Sequence, residues 1–150
     1  MDLAEPTSAH PGLDIVVTSL ASDAHTWNLV YLQLVLEELG HRVVNLGACA
    51  PDDLIVTECA RRRPDLVVVS SVNGHGFHEA KRVIARLRGR PELAATPVVV
   101  GGKLGIDGPG GRRRAAALTE AGFDGVFEDA AGSIAEFRSF LDRLPVGVRS

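Results

Sequence analysis

Five short runs of apolar, mostly β-branched residues recur along the chain, and each is followed by a stretch with helical periodicity. The runs occupy residues 13–19, 41–47, 65–71, 97–100 and 125–127. In the first helical stretch, residues 26–39, the apolar side chains fall on one face: Leu29, Leu32, Val35, Leu36 and Leu39. Strands that alternate with helices of about ten residues predict a parallel sheet with helices on both faces.

The helix boundaries carry signals of their own. Gly40 is the expected C-terminal stop of the first helix. Pro51-Asp52-Asp53 begins the second, because proline and carboxylates suit the positive end of a helix dipole, and that helix ends before Pro64. Further helices are expected over about 77–88, 112–121 and 133–144. The pattern predicts an α/β, flavodoxin-like (Rossmann-like) fold: a doubly wound sheet of five parallel strands in the order 2-1-3-4-5.

The length of the chain sets its domain count. At 150 residues it suits one domain, since ordinary domains run to about 100–200 residues. We expect residues 1–12 to be a flexible N-terminal segment and residues 13–150 to form the domain. A domain of this size leaves little chain for both a substrate pocket and a catalytic apparatus.

Charge and composition exclude several classes of partner. The net charge is −3, whereas a nucleic-acid-binding domain normally carries a basic excess. No apolar run approaches the roughly 20 residues that span a membrane, and residues 1–12 lack the apolar core of a signal peptide. The two cysteines, Cys49 and Cys59, give no disulfide framework and fit a reducing cytoplasm.

Asp23 and His25 follow the first predicted strand, two residues apart. In sheets of this type ligands bind beyond the carboxyl ends of the strands. A carboxylate bonded to one imidazole nitrogen fixes the tautomer and leaves the other nitrogen free for a metal or a proton. The same two residues could instead be a helix N-cap and a solvated residue of the first turn. The pair by itself leaves both interpretations open.

Small residues follow the third and fourth strands. After the third come Ser70-Ser71-Val72, with Gly74 in the turn beyond. The two hydroxyls would either bond the polar edge of a ligand or satisfy backbone groups at the strand end. Gly101-Gly102 follows the fourth strand and begins a glycine-rich stretch. Neither the G-x-x-x-x-G-K-[ST] nor the G-x-G-x-x-G spacing of nucleotide sites is present.

Taken in this order, these features resemble the B12-binding domain family, whose pattern is D-x-H-x-x-G, then S-x-[LV], then G-G. The corresponding residues here are Asp23-x-His25, Ser70-Ser71-Val72 and Gly101-Gly102. The likeness runs from about residue 13 to residue 144. It is strongest to the small cobalamin-binding subunits of glutamate mutases (methylaspartate mutases).

The resemblance implies that residues 13–150 bind cobalamin in the base-off/His-on manner, with the dimethylbenzimidazole tail away from cobalt. His25 would then be the axial metal ligand, and Asp23 would set its tautomer. Three stretches would line the cofactor site: Ser70-Ser71-Val72, Gly74 and Gly101-Gly102.

The resemblance also implies a division of labour. The cofactor would be adenosylcobalamin, this chain would contribute no catalytic residue, and a large barrel subunit would hold the amino acid. The assembly would be a cytoplasmic hetero-oligomer that converts L-glutamate to 3-methylaspartate, with no nucleic acid or membrane as partner.

Two departures from the family pattern keep alternatives open. Asn28 stands where the family has the glycine of D-x-H-x-x-G, and residues 128–131 replace a glycine–threonine turn. A corrinoid carrier for methyl transfer is one alternative, although such carriers usually have a helical domain before the B12 domain. A related module that no longer binds cobalamin is another. A receiver domain is disfavoured, because Asp23 is the sole acid of the first loop and no lysine follows Lys103.

Overall fold

The computed structural model describes residues 12–21, 26–70, 76–101, 111–127 and 139–143, with the backbone alone described for 26–28, 76 and 111–115. The strands are β1 (Asp14–Ser19), β2 (Arg42–Asn45), β3 (Leu66–Ser70), β4 (Val98–Gly101) and β5 (Gly125–Phe127). The helices are α1 (Thr26–Glu38), α2 (Asp52–Arg62), α3 (Gly76–Arg88) and α4 (Gly111–Ala121). A short 3-10 helix spans Pro91–Leu93, and residues 139–142 are helical.

The five strands form one parallel sheet in the order β2-β1-β3-β4-β5. The predicted doubly wound, flavodoxin-like fold is therefore confirmed. The central strand β3 is buried along its whole length, as a continuously apolar run requires when helices cover both faces of a sheet. Within the described residues, no helix is both long and apolar enough to cross a membrane.

Two apolar layers lie on opposite faces of the sheet. On one face α2, α3 and α4 pack on the even-numbered side chains of β1, such as Val16. On the other face Leu29 and Leu36 of α1, together with Leu141, pack on Ile15 and Val17. Each strand serves both layers, because successive side chains point to opposite faces.

The helix boundaries follow the predictions closely, with two differences. Helix α1 ends at Glu38, so Leu39 lies in the turn and is 38% exposed rather than packed with the inner face. Gly40 ends the helix as predicted, with a φ of +98° that suits glycine. The sequence did not predict the 3-10 helix, which buries Leu93 in the apolar layer formed with α2 and α3. Of the predicted helix 133–144, residues 133–138 and 144 lie outside the described residues.

Side-chain hydrogen bonds and an ion pair stabilise the amino-terminal edge of the sheet. The Arg88 guanidinium donates to the carbonyl oxygens of Gly122, Leu93 and Thr96 at 2.7–3.1 Å and pairs with Asp124 at 2.8 Å. These bonds tie α3 to the segments that precede β4 and β5.

His41 makes another stabilising hydrogen bond at the same edge of the sheet. Its Nδ1 accepts a hydrogen bond from the backbone N–H of Leu13 at 3.0 Å. Burial lowers the pKa of His41; the carboxylate of Asp142 opposes that shift, and the cation of Arg42 adds to it. The bond requires an unprotonated Nδ1, because a protonated nitrogen cannot accept.

Candidate functional site

The carboxyl ends of four adjacent strands are aligned in register. Ser19 of β1 lies beside Ser70 of β3, Ser70 beside Gly101 of β4, and Gly101 beside Phe127 of β5. Neighbouring strands are about 4.8 Å apart, so the row extends over roughly 14 Å. It lies at the edge where parallel sheets of this class hold their ligands. We call these four residues the carboxyl-edge row.

Side-chain alternation places the row on one face of the sheet. Ser19 shares the parity of Val17, Ser70 that of Val68, and Gly101 that of Val99. Those three valines belong to the layer covered by α1 and by Leu141. The row therefore lies beneath α1 and the helical residues 139–142, on the face opposite α2, α3 and α4.

The first three positions of the row have small side chains, whereas the fourth is aromatic. Phe127 packs edge-on against Phe140, with 6.0 Å between ring centroids, and closes the row on the β5 side. Elsewhere in this layer the strands carry valine, leucine and isoleucine. Packing between the sheet and its helices is thus thinnest at the carboxyl edge, where two hydroxymethyl groups and a glycine replace branched side chains.

Ser70 brings a buried hydroxyl into the row. The residue is 6% exposed, and its hydroxyl makes no hydrogen bond to another described residue. A ligand at this edge could supply a hydrogen-bonding partner, which a buried hydroxyl needs to offset its loss of water. Ser70 is therefore a candidate for hydrogen bonding to a ligand, and its role as a site residue remains a prediction.

Ser19 is a residue that sequence reasoning did not single out. It is 1% exposed, and its hydroxyl donates to the carbonyl oxygen of Gly47 at 3.0 Å. The N–H of Gly47 donates in turn to Oδ1 of Asn45 at 2.8 Å. Ser19 thus fixes the loop after β2 to the end of β1. The signal that could have found it is its alignment with Ser70, which needs the strand register.

Gly101 has a packing reason to be glycine. A Cβ at this position would lie 3.1 Å from the carbonyl oxygen of Phe127 and 3.7 Å from the Phe127 Cβ. The missing side chain lets β5 approach β4 closely at the carboxyl edge. The interpretation of Gly101 as a site of ligand approach remains a prediction, and the contact with β5 is a second constraint on the same residue.

A family model matches most of the chain. Residues 13–137 match the model of the B12 binding domain. The chain belongs to the B12-binding domain family. The match begins one residue before β1 and includes all four strands of the carboxyl-edge row.

Individual relatives agree with this assignment. A glutamate mutase sigma subunit from Halobacterium salinarum is 32% identical over 136 residues, which are 91% of this chain and 90% of the relative. A glutamate mutase sigma subunit from Fusobacterium nucleatum is 26% identical over 114 residues, 76% of this chain and 83% of the relative. A cobalamin-binding protein from Desulfitobacterium hafniense has the same fold, with a TM-score of 0.71 at 19% identity; the match covers 89% of this chain and 60% of that one.

The structure describes two of the predicted B12-site residues and places them side by side. Ser70 and Gly101 are register partners in the row. Six others lie outside the described residues: Asp23, His25, Ser71, Val72, Gly74 and Gly102. Their assignment rests on the family pattern.

The two cysteines and the arginines at the end of α2 are not part of the carboxyl-edge row. Burial raises the pKa of Cys59 to about 12, and Cys49 is exposed in the loop after β2. Arg61 and Arg62 donate to Glu58 at 2.8 and 3.0 Å. Together with Arg63 they are exposed at the end of α2, so this run of three arginines is a solvated face.

Proposed function

We propose that this chain is the cobalamin-binding small subunit of an adenosylcobalamin-dependent carbon-skeleton mutase, with L-glutamate and 3-methylaspartate as the reacting pair. The observation that carries the proposal is the carboxyl-edge row in a B12-family domain: small side chains and a buried hydroxyl aligned on one face. The kinship with glutamate mutase sigma subunits supports the choice of reaction.

The residues of the row suit the tail of cobalamin. A planar heterocycle between a sheet and a helix needs a layer where side chains are short, and Ser19, Ser70 and Gly101 supply one. Such a ligand also carries polar atoms that the buried Ser70 hydroxyl can bond. Thus the site agrees with the group on both shape and polarity.

His25 and Asp23 take their roles from the family pattern. Their segment connects β1, which ends at the row, to α1, which covers it. In our proposal the His25 imidazole would hold the cobalt. The Asp23 carboxylate would accept a hydrogen bond from the proton-bearing nitrogen of the same ring, which would fix the tautomer and raise the basicity of the ligand.

The chain's contribution is binding and orientation. When bound, adenosylcobalamin supplies the adenosyl radical by homolysis of its cobalt–carbon bond. The row and the His25 segment hold the cofactor, while a separate large subunit holds the amino acid and excludes water. We expect no mutase activity from this chain alone and activity on adding the large subunit.

A titration with hydroxocobalamin tests the central claim. The purified chain should shift the visible spectrum to that of base-off, histidine-ligated cobalt, and His25→Ala should lose the histidine signature while remaining folded. His78→Ala is the matched control, because His78 is an exposed histidine of α3 on the other face of the sheet. A spectrum of free cofactor with the wild-type chain would refute cobalamin binding.

Activity separates the mutase from other cobalamin proteins. The chain should support conversion of glutamate to 3-methylaspartate when mixed with adenosylcobalamin and a glutamate mutase large subunit. Turnover by the chain alone would contradict the division of labour. Cobalamin binding without turnover in the mixture would leave a cobalamin carrier as the function.

A further inference from the structure

We propose that the outward face of α1 is a docking surface for the large subunit, which meets it with an apolar patch bordered by basic side chains. This inference rests on the proposed function, because it assigns a place on this chain to the partner that the mutase requires. The surface, called the α1 stripe below, consists of Val30, Tyr31 and Leu34.

The α1 stripe is an exposed apolar surface. Val30 is 36% exposed, Tyr31 49% and Leu34 58%. Val30 and Leu34 are four residues apart and Tyr31 and Leu34 are three apart, so the Leu34 side chain is a neighbour of both on the helix surface. Leu34 points directly away from the sheet, since Leu29 and Leu36 form the buried face of the same helix. Helix α1 is therefore apolar on two opposite faces, which a helix on a monomer surface does not need.

The stripe is close to the candidate cofactor site. Helix α1 begins at the carboxyl edge of the sheet and runs back toward the amino edge, where His41 contacts Leu13. Val30 and Leu34 fall about 6 and 12 Å along the axis from Thr26. The inner face of α1 covers the layer that contains the carboxyl-edge row. A protein that closes over the carboxyl edge would thus reach the outer face of the same helix.

Charge gives the chemistry of the partner. Glu37 and Glu38 follow the stripe by one turn and are exposed, and α1 contains no lysine or arginine. An apolar surface with an acidic end fits a partner surface with basic side chains at the matching end. Rim charges of this kind act mainly on the association rate and weaken as salt rises.

A second copy of this chain fits the stripe less well. The three side chains expose on the order of 300 Å², whereas a stable pair buries about 800 Å² on each partner. Packed parallel, two copies of α1 would bring Glu37 and Glu38 of each together; packed antiparallel, they would offer those carboxylates no cation. The α1 stripe is of a size to form one part of a larger interface, such as an interface centred on the carboxyl edge of the sheet.

The test compares two exposed leucines on opposite faces of the sheet. Leu34→Lys alters the stripe, and Leu54→Lys is the matched control, because Leu54 is 39% exposed on α2. The probe is the purified large subunit of Fusobacterium nucleatum glutamate mutase, with that organism's sigma subunit as positive control. Each variant is first titrated with hydroxocobalamin, and its affinity for the probe is then measured by biolayer interferometry in the cobalamin-loaded form.

We expect Leu34→Lys to bind cobalamin as the wild type does and to lose about tenfold or more in affinity for the large subunit. Leu54→Lys should stay within about twofold of the wild type. Reversing Glu37 and Glu38 together to lysine should slow association and reduce its salt dependence.

Two results would overturn the inference while leaving the proposed function intact. One is equal affinity of Leu34→Lys and wild type for the large subunit. The other is a dimer of this chain, seen by sedimentation, that Leu34→Lys dissociates without affecting subunit binding. Failure of the proposed function gives a different result: a wild-type chain that binds no cobalamin, or that binds cobalamin and then no large subunit.

Discussion

Replacement of Arg88 by methionine should lower the stability of the domain without affecting its cofactor site. The Arg88 side chain is 22% exposed, and its guanidinium bonds four backbone carbonyls, three of them partly buried, and the Asp124 carboxylate. Methionine keeps most of the apolar stem but removes every donor. The change therefore separates the contribution of the Arg88 hydrogen bonds to stability from the contribution of its side-chain packing.

The magnitude follows from the acceptors left behind. Each of the three partly buried carbonyls loses a charge-assisted bond whose net worth, after partial rehydration, is about 1 kcal/mol. The pair with Asp124 adds little, because that carboxylate is 45% exposed and screened by solvent. We expect a loss of about 3 kcal/mol in the free energy of unfolding, equivalent to a fall of about 10 °C in Tm for a chain of this length.

Urea unfolding followed by circular dichroism measures this change, with Arg90→Met as the matched control. Arg90 is two residues away, and its side chain hydrogen-bonds only to Glu92 among the described residues, so its replacement should leave the urea midpoint unchanged. Cobalamin affinity of Arg88→Met, measured below its unfolding transition, should equal that of the wild type. A loss under about 1 kcal/mol would refute the reasoning, and so would lost cobalamin affinity at unchanged stability.

Three further predictions address single residues. Ser70→Ala should weaken cobalamin binding about tenfold, because one buried hydrogen bond is lost. Ser70→Leu should abolish binding, because the larger side chain fills the space of the row. Equal cobalamin affinity of both variants and the wild type would exclude Ser70 from the site. The free energy of unfolding should fall as pH drops from about 7 to 5, because the unfolded imidazole of His41 binds a proton near pH 6.5 and the buried one only at lower pH. His41→Asn, which keeps an acceptor for Leu13 N–H, should flatten that slope, and a slope unchanged from wild type would assign it to another group. A thiol reagent should titrate Cys49 in the folded chain and Cys59 only after unfolding, since burial raises the pKa of Cys59 to about 12; two thiols reacting at once in the native state would contradict its burial.

Local sequence patterns predicted most of the fold. Helix α1 starts and ends within one residue of its predicted bounds, because an apolar periodicity and Gly40 are both local signals. The number and length of the βα units suggested the sheet order 2-1-3-4-5 but did not fix it, and the structure has that order. The 3-10 helix at Pro91–Leu93 escaped prediction because three residues are too few to show a period, and its stability comes from the burial of Leu93.

The site was predicted less completely than the fold. The family pattern led to Ser70 and Gly101, but Ser19 carried no motif and became visible only as the register partner of Ser70. Gly101 received one explanation from the sequence, and its 3.1 Å clearance from the Phe127 carbonyl supplied another. Both findings depend on pairs of residues that are far apart in the chain.

The sequence by itself determined the alternation of strands and helices, the parallel sheet, the edge that carries the candidate site and the family pattern at that edge. Each of these features depends on patterns among residues that are close together in the chain. The tertiary structure decided that Ser19, Ser70 and Gly101 form one row on the face covered by α1 and residues 139–142, and that Val30, Tyr31 and Leu34 remain exposed on the outside of α1. Side-chain parity within one strand is local, but strand register and the choice of covering helix are set by packing between distant segments.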